Sequence, residues 1–225
     1  RDRTRVTTAV CVLVQALAAG ADEGRSPGTS QDNARTKHRE TIVVEGRPQS
    51  GSLTTPGSEH ALERLERVPG NTSQVVEEQY RSGRLGNIEN VLEEAPGVYA
   101  ESRFGGGETR LSIRGSSVTQ DFESRGVRLM RNGLPLTQAD GFTRNELIDP
   151  FIIQRAEVYP GANAMEFGAA VLGGAVNFVT PTGYTADRFR VRLEGGSDAW
   201  KRFQVSGGTV LEDQGLDGFA SVSGL

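Results

Sequence analysis

The chain is poor in the side chains on which most enzymatic and metal chemistry rests. It has one cysteine, Cys11, and two histidines, His38 and His60, in 225 residues. Both histidines lie in a polar N-terminal stretch, which argues against histidine catalysis or a histidine-rich metal site in the folded part. No Gly-x-Ser-x-Gly elbow, Walker loop or His-Glu-x-x-His pair occurs, so no enzyme is expected. The Gly105–Gly107 run is followed by Glu108, where a phosphate cradle needs donors and positive charge. With 25 basic and 29 acidic residues the net charge is -4, and this lack of a basic footprint excludes nucleic acid as an expected partner. The apolar run from Val6 to Ala19 falls below the roughly 18 residues that span a bilayer as a helix. No cofactor and no protein-held metal are expected.

What is present begins with an address. Arg1, Arg3 and Arg5 precede the apolar run, and Ala16-Leu17-Ala18 and Ala19-Gly20-Ala21 follow it. That order of charge, apolar core and small residues is a secretory signal, assigned to residues 1–21. Cys11 lies within the signal, so the exported protein carries no disulfide. Residues 22–60 are rich in Ser, Thr, Gly, Pro and charge and read as a disordered tether. Within it, Glu40-Thr41-Ile42-Val43-Val44-Glu45 forms a short β-prone segment with no turn-linked partner nearby. It suits strand addition to another protein's sheet edge, or it is a strand of the domain that follows.

Glycine is abundant, 29 residues without a collagen period, as in turns and close packing on a β-rich chain. Ile88, Val91, Leu92 and Ala95 make a helical stripe, with Asn87 as N-cap and Pro96-Gly97 as the stop. Leu111 and Ile113 alternate with polar residues as a half-buried strand, and Asn132-Gly133 between Val127–Leu129 and Leu134–Leu136 signals a hairpin. Ile152-Ile153 with Ala156–Tyr159, and Val176–Val179, give two more strands, separated by a partly helical stretch over 162–174. Residues 61–183 are therefore expected to be an α+β domain, a small mixed sheet with short helices. From Arg188 the pattern changes: Phe189, Val191 and Leu193 alternate with Arg188, Arg190, Arg192 and Glu194, and Phe203, Val205, Phe219 and Val222 follow. Residues 184–225 read as the first strands of a transmembrane β-barrel, the alternative being a soluble meander.

These segments together resemble the TonB-dependent outer-membrane receptors. Glu40–Val44 looks like a TonB box, Gly83–Val98 resembles the first helix of the plug, and Leu111-Ser112-Ile113-Arg114-Gly115 resembles an "IRG" strand end. The run from Glu157-Val158-Tyr159 to Gly173-Gly174-Ala175-Val176-Asn177-Phe178-Val179-Thr180-Pro181 resembles the family's glycine-rich plug signature. The resemblance implies a plug inside a barrel in the outer membrane, importing an iron chelate such as a ferric siderophore or ferric dicitrate. Glu40, Thr41, Ile42, Val43 and Val44 would bind the TonB C-terminal domain, with its energising inner-membrane complex.

The resemblance also implies plug-to-barrel charge contacts at Arg114 and Glu157, and a departure at Pro160, where the family usually has arginine. Ligand contacts are expected on plug loops at Arg103, Phe104, Gln120, Gln138, Asp140 and Arg144, with the iron held in its chelate. The roughly twenty residues between the signal and Glu40 are fewer than the additional periplasmic signalling domain of some receptors needs, so that domain is not expected. A barrel of about 22 strands needs about ten residues each, and Arg188 to Leu225 hold about three strands, so a truncated barrel is expected. The alternative is an exported β-rich binding or adhesin module without transport.

Overall fold

The computed structural model describes residues 55–103, 108–116, 126–136, 145, 148–168, 171–197 and 200–224. All of them lie in the compact unit Arg47–Leu225. The signal, most of the tether and the segment 40–45 fall outside the described residues.

The first part is a mixed α+β domain. Helix α1, Ser58–Glu66, buries Ala61 and Leu65. It starts at Ser58, ahead of the expected domain boundary at 61. Strand β1, Ser73–Val76, leads directly into the short helix α2, Glu77–Tyr80. Helix α3, Ile88–Leu92, is capped as expected: the Asn87 side chain accepts from the Glu89 amide at 3.0 Å. It ends sooner than the apolar stripe suggests. Ala95 is buried beyond the helix, bonded back to Leu92, and Gly97 then turns the chain at a φ of 74°.

Strands β2, Val98–Arg103, and β3, Glu108–Ile113, pair with each other. Strand β4, Val127–Arg131, and strand β5, Leu134–Pro135, flank the expected turn, where Asn132 and Gly133 take φ of 52° and 79°. Two consecutive left-handed residues match a type I′ hairpin, the geometry for which Asn-Gly is suited. Ile152 departs from expectation. With Pro150 and Phe151 it forms a 3-10 turn, Pro150–Ile152, and strand β6 begins only at Arg155–Pro160. Proline at the first helical position, capped by Asp149, explains the turn. A 3-10 helix at Gly161–Phe167 and strand β7, Gly174–Val179, complete the domain.

The sheet order is β1-β6-β7-β4-β5, antiparallel except for the parallel β4–β7 pair. Its two faces differ in chemistry. Val75, Leu129, Ala156, Val158, Val176 and Phe178 pack in the main core with α3, Leu111 and Ile113. The period of two puts Arg155, Glu157 and Tyr159 on the opposite face.

The second part is an antiparallel meander of β8, Arg190–Gly195, β9, Lys201–Leu211, and β10, Leu216–Gly224. Its burial is inverted relative to a soluble sheet. Arg190, Arg192, Glu194, Arg202, Gln204 and Ser206 are wholly or partly covered, while Val191, Leu193, Phe203, Val205 and Val222 are exposed. Phe219 differs from expectation. Its register opposite Gly208 turns it inward, on the face opposite to Val222.

Tyr80 joins α2 to the 3-10 turn by donating its hydroxyl to the Ile153 carbonyl at 2.6 Å. Burial, with Glu77 and Glu78 nearby, raises its pKa well above the ordinary tyrosine value of 10.0. A raised folded-state pKa means that stability is whole below the unfolded value and falls as pH climbs past about 10. Tyr80→Phe should cost about 1 kcal/mol at neutral pH and lose stability less steeply from pH 9 to 11. Urea titrations across that range test this, and equal alkaline slopes would refute it.

Candidate functional site

The inward polar face of the meander meets the α+β domain along a seam of arginines. Alternation on β8 directs Arg190 and Arg192 to one side. Arg190 Nη1 pairs with Glu77 Oε1 at the start of α2, and its Nε with Asp187 Oδ2 at 2.8 Å. Arg192 Nη2 donates to the carbonyls of Arg81 at 2.8 Å and Gly83 at 3.1 Å, and the side chain pairs with Glu194 at 2.8 Å. These carbonyls belong to the segment after α2, so the arginine satisfies backbone groups that no helix or strand uses. Arg84 stacks over Trp200 at 5.0 Å. Beside them an open groove of about 640 Å³ is lined by Ser82, Arg84, Leu193, Glu194 and Trp200.

The 3-10 turn forms the tightest part of the seam. Asp149 accepts from the Phe151 amide at 2.9 Å, from Arg202 Nη2 at 2.7 Å and from the Ser223 hydroxyl. Gln204 Nε2 donates to the Phe151 carbonyl at 2.9 Å. The Phe151 ring lies under two guanidinium groups, Arg202 at 4.1 Å and Arg192 at 5.1 Å. A buried ring facing two cations is favourable by about 0.5–2 kcal/mol for each pair. One carboxylate thus joins β9 and β10 to the domain, while one ring joins β8 and β9.

The connection between the two parts is built for close approach. A Cβ added to Gly183 would lie 2.8 Å from the Gly218 amide nitrogen, and one on Gly207 would lie 2.6 Å from the Arg188 carbonyl oxygen. The Gly183 amide donates to Asp217 Oδ2 at 2.9 Å. Side chains at these glycines would push the connection off the meander.

Of the residues expected from sequence, Glu157 is deeply buried, and its described partners all lie within the α+β domain. Its carboxylate accepts from Arg155 Nε at 3.0 Å and, each at 3.1 Å, from Arg64 Nη2, the Tyr159 hydroxyl and Asn177 Nδ2. Burial, then Glu157, raises the Tyr159 pKa above its usual range. Arg114 is exposed, at a φ of 52°, and its guanidinium rests so near Gly161 that a Cβ there would lie 2.9 Å from Nη1. Among the described residues no carboxylate pairs with it. Pro160 ends β6 opposite Gly174. Arg103 closes β2, while Phe104, Gln120, Gln138, Asp140 and Arg144 fall outside the described residues, as do Glu40 to Val44.

Sequence reasoning did not identify Glu77, Asp149, Arg190, Arg192 or Arg202 as seam residues. The alternating arginines from Arg188 were visible, but their partners in the α+β domain lie more than fifty residues away in the chain.

A family model described as the TonB-dependent Receptor Plug Domain matches residues 64–175. The chain is similar to the ferric-pyoverdine receptor PbuA of a Pseudomonas species, 29% identical over 194 residues, covering 85% of this chain and 23% of that protein. It is similar to the vitamin B12 transporter BtuB of Vibrio vulnificus, 26% identical over 143 residues, covering 63% of this chain and 23% of that protein. The chain thus spans about a quarter of the relatives it matches. A solved structure of the pyoverdine outer membrane receptor FpvA from Pseudomonas aeruginosa, bound to pyoverdine, superposes with a TM-score of 0.53 at 24% identity. It covers 69% of this chain and 22% of that one, a likeness of fold.

Asp149→Ala removes the acceptor shared by Arg202, Ser223 and the Phe151 amide. Loss of these charge-assisted bonds should weaken the seam by about 2–3 kcal/mol. Trypsin should then cut after Arg202 at a lower denaturant concentration than in the unaltered chain, while the buried Arg155 on β6 stays protected. An unchanged cleavage profile would mean that the seam is held elsewhere.

Proposed function

The chain belongs to the TonB-dependent receptors through its plug domain, and from that membership we propose that it serves energised uptake of an iron chelate. The protein is an outer-membrane receptor with a plug inside a barrel. The inverted meander carries the reading of the chain's own residues: Val191, Leu193, Phe203, Val205 and Val222 face outward, where lipid accommodates them, and arginines face the plug. A soluble meander would leave this apolar stripe in water.

Glu40, Thr41, Ile42, Val43 and Val44 supply the strand that pairs with the TonB C-terminal domain, the partner through which the inner membrane delivers energy. Arg103 and Arg144 are the cations best suited to an anionic chelate, and Phe104, Gln120, Gln138 and Asp140 are the further candidate contacts. Arg114 rests on Gly161 at the end of β6, where a barrel carboxylate would complete its pairing. Glu157 acts from within the plug, by holding Arg155 and Arg64.

The ferric-chelate ligand is favoured by the receptor for ferric pyoverdine among the relatives, while the vitamin B12 transporter supports a corrinoid as the second reading. Val43→Pro removes a backbone donor and interrupts strand pairing. In the full receptor it should abolish uptake of a labelled ferric chelate while surface binding stays within about twofold, because the two sites use different segments. Normal uptake in this variant would refute the TonB-binding assignment. Uptake of cyanocobalamin in place of ferric chelates would overturn the ligand class. Binding without uptake in the unaltered receptor would favour an adhesin.

A further inference from the structure

The sheet face beneath α1 is unlike the rest of the interior. Gln74 stands opposite Glu157, and Asn177 stands opposite Glu157 on the other side, so one polar row runs across three strands. Arg155 and Tyr159 flank Glu157 on that same face. The opposite face of these strands is apolar. α1 covers the polar row through Leu65, which packs in a small cluster with Tyr159 and Ala175, and through three polar ties. Arg64 reaches Glu157 at 3.1 Å, Gln74 Nε2 donates to the Ser58 carbonyl at 3.3 Å, and Thr72 donates to the Leu65 carbonyl at 2.8 Å. These described ties all lie within the domain, whereas α2 and the 3-10 turn are gripped by the meander.

Two features of this face lower the cost of uncovering it. First, Nη1 of Arg155 and Oε1 of Gln74 are buried without a hydrogen-bond partner among the described residues, and water reaching them would supply one. Second, Glu157 does not depend on α1 for its charge. Arg64, with a side chain 53% exposed, is one of four donors. Arg155, Tyr159 and Asn177 remain when it leaves. Lifting α1 therefore strands no charge, and it hydrates two polar atoms. What opposes it is the burial of Ala61 and Leu65 together with the three polar ties.

We infer that α1 is a lid on a hydrophilic sheet face, lifting as a unit while the sheet, the aliphatic core and the arginine seam stay in place. Arg155, Glu157 and Gln74 then line a wetted surface. In a plug pulled from its N-terminal side, which rests on the function proposed above, α1 is the first described element that tension reaches. The lid itself can be observed without any transport.

Ala61 on the inner side of α1 and Ala156 on the aliphatic face of β6 are both 0% exposed and give matched probes. In chains carrying Cys11→Ser, Ala61→Cys or Ala156→Cys is exposed to a thiol reagent under native conditions, and modification is followed by mass. The thiol at Ala61→Cys should react at least about tenfold faster than that at Ala156→Cys, because local opening exposes the first without the second. Arg64→Ala should raise the first rate further and leave the second unchanged.

Replacing the buried pair by Arg155→Met with Glu157→Leu should slow the first rate, since a dry face gains nothing from water. Equal rates at the two probes, or an Arg64→Ala effect on both together, would overturn the lid. α1 would then open only with the whole domain. A first rate that does not fall in the apolar pair, with the second unchanged, would overturn the role of the polar face. If the apolar pair raises the second rate, its fold is damaged, and the comparison with Arg64→Ala decides.

Discussion

A sheet with arginines inside and aliphatic side chains outside needs acceptors within, and that requirement organises this chain. Guanidinium groups on β8 and β9 cannot be left in a closed interior without partners, because the loss of hydration would be uncompensated. The domain supplies carboxylates at Glu77 and Asp149, carbonyls at Arg81 and Gly83, and the ring of Phe151. Each comes from an irregular end or a short turn, where backbone groups are not consumed by a ladder. The 3-10 turn at Pro150–Ile152 is consequently more than a connector. Its proline and its Asp149 cap present one carbonyl, one carboxylate and one ring to three strands at once.

The same logic, applied inside the domain, separates the two faces of the mixed sheet. Strand β6 is buried along its whole length, yet alternate residues meet opposite chemistry. Ala156 and Val158 stabilise by removing apolar area from water, while Arg155 and Glu157 are tolerated because each is paired. A buried pair of this kind contributes little net stability but penalises any arrangement that separates it. The glycines of the connection work by shape instead. Gly183, Gly207 and Gly208 let backbone approach backbone where the chain passes from domain to meander.

Much of this was readable from the residues. The Asn87 cap, the Asn132-Gly133 hairpin, the strands at Leu111–Ile113 and Val176–Val179, and the alternating arginines after Arg188 are local signals, carried by spacing and turn chemistry. Where such reading missed, a proline, a cap or a pairing register had overridden the apolar spacing. Ile152 was drawn into a turn by Pro150 and Asp149, Ala95 is buried without being helical, and Phe219 was turned inward by its register opposite Gly208.

For α3, β3, β4, β7 and β8 the sequence by itself determined the type of element, and on β3 and β8 the polar side, because those properties depend on periods of two and 3.6 along the chain. It also carried the resemblance to the family, through the glycine-rich run from Glu157 to Pro181. Tertiary structure alone decided what the polar sides face. Glu157 meets Arg64 across 93 positions, and Arg202 meets Asp149 across 53. An ion pair needs a distance of a few ångströms, and chain order does not encode that distance. The stacking of α1 on one sheet face and of the meander against the 3-10 turn does.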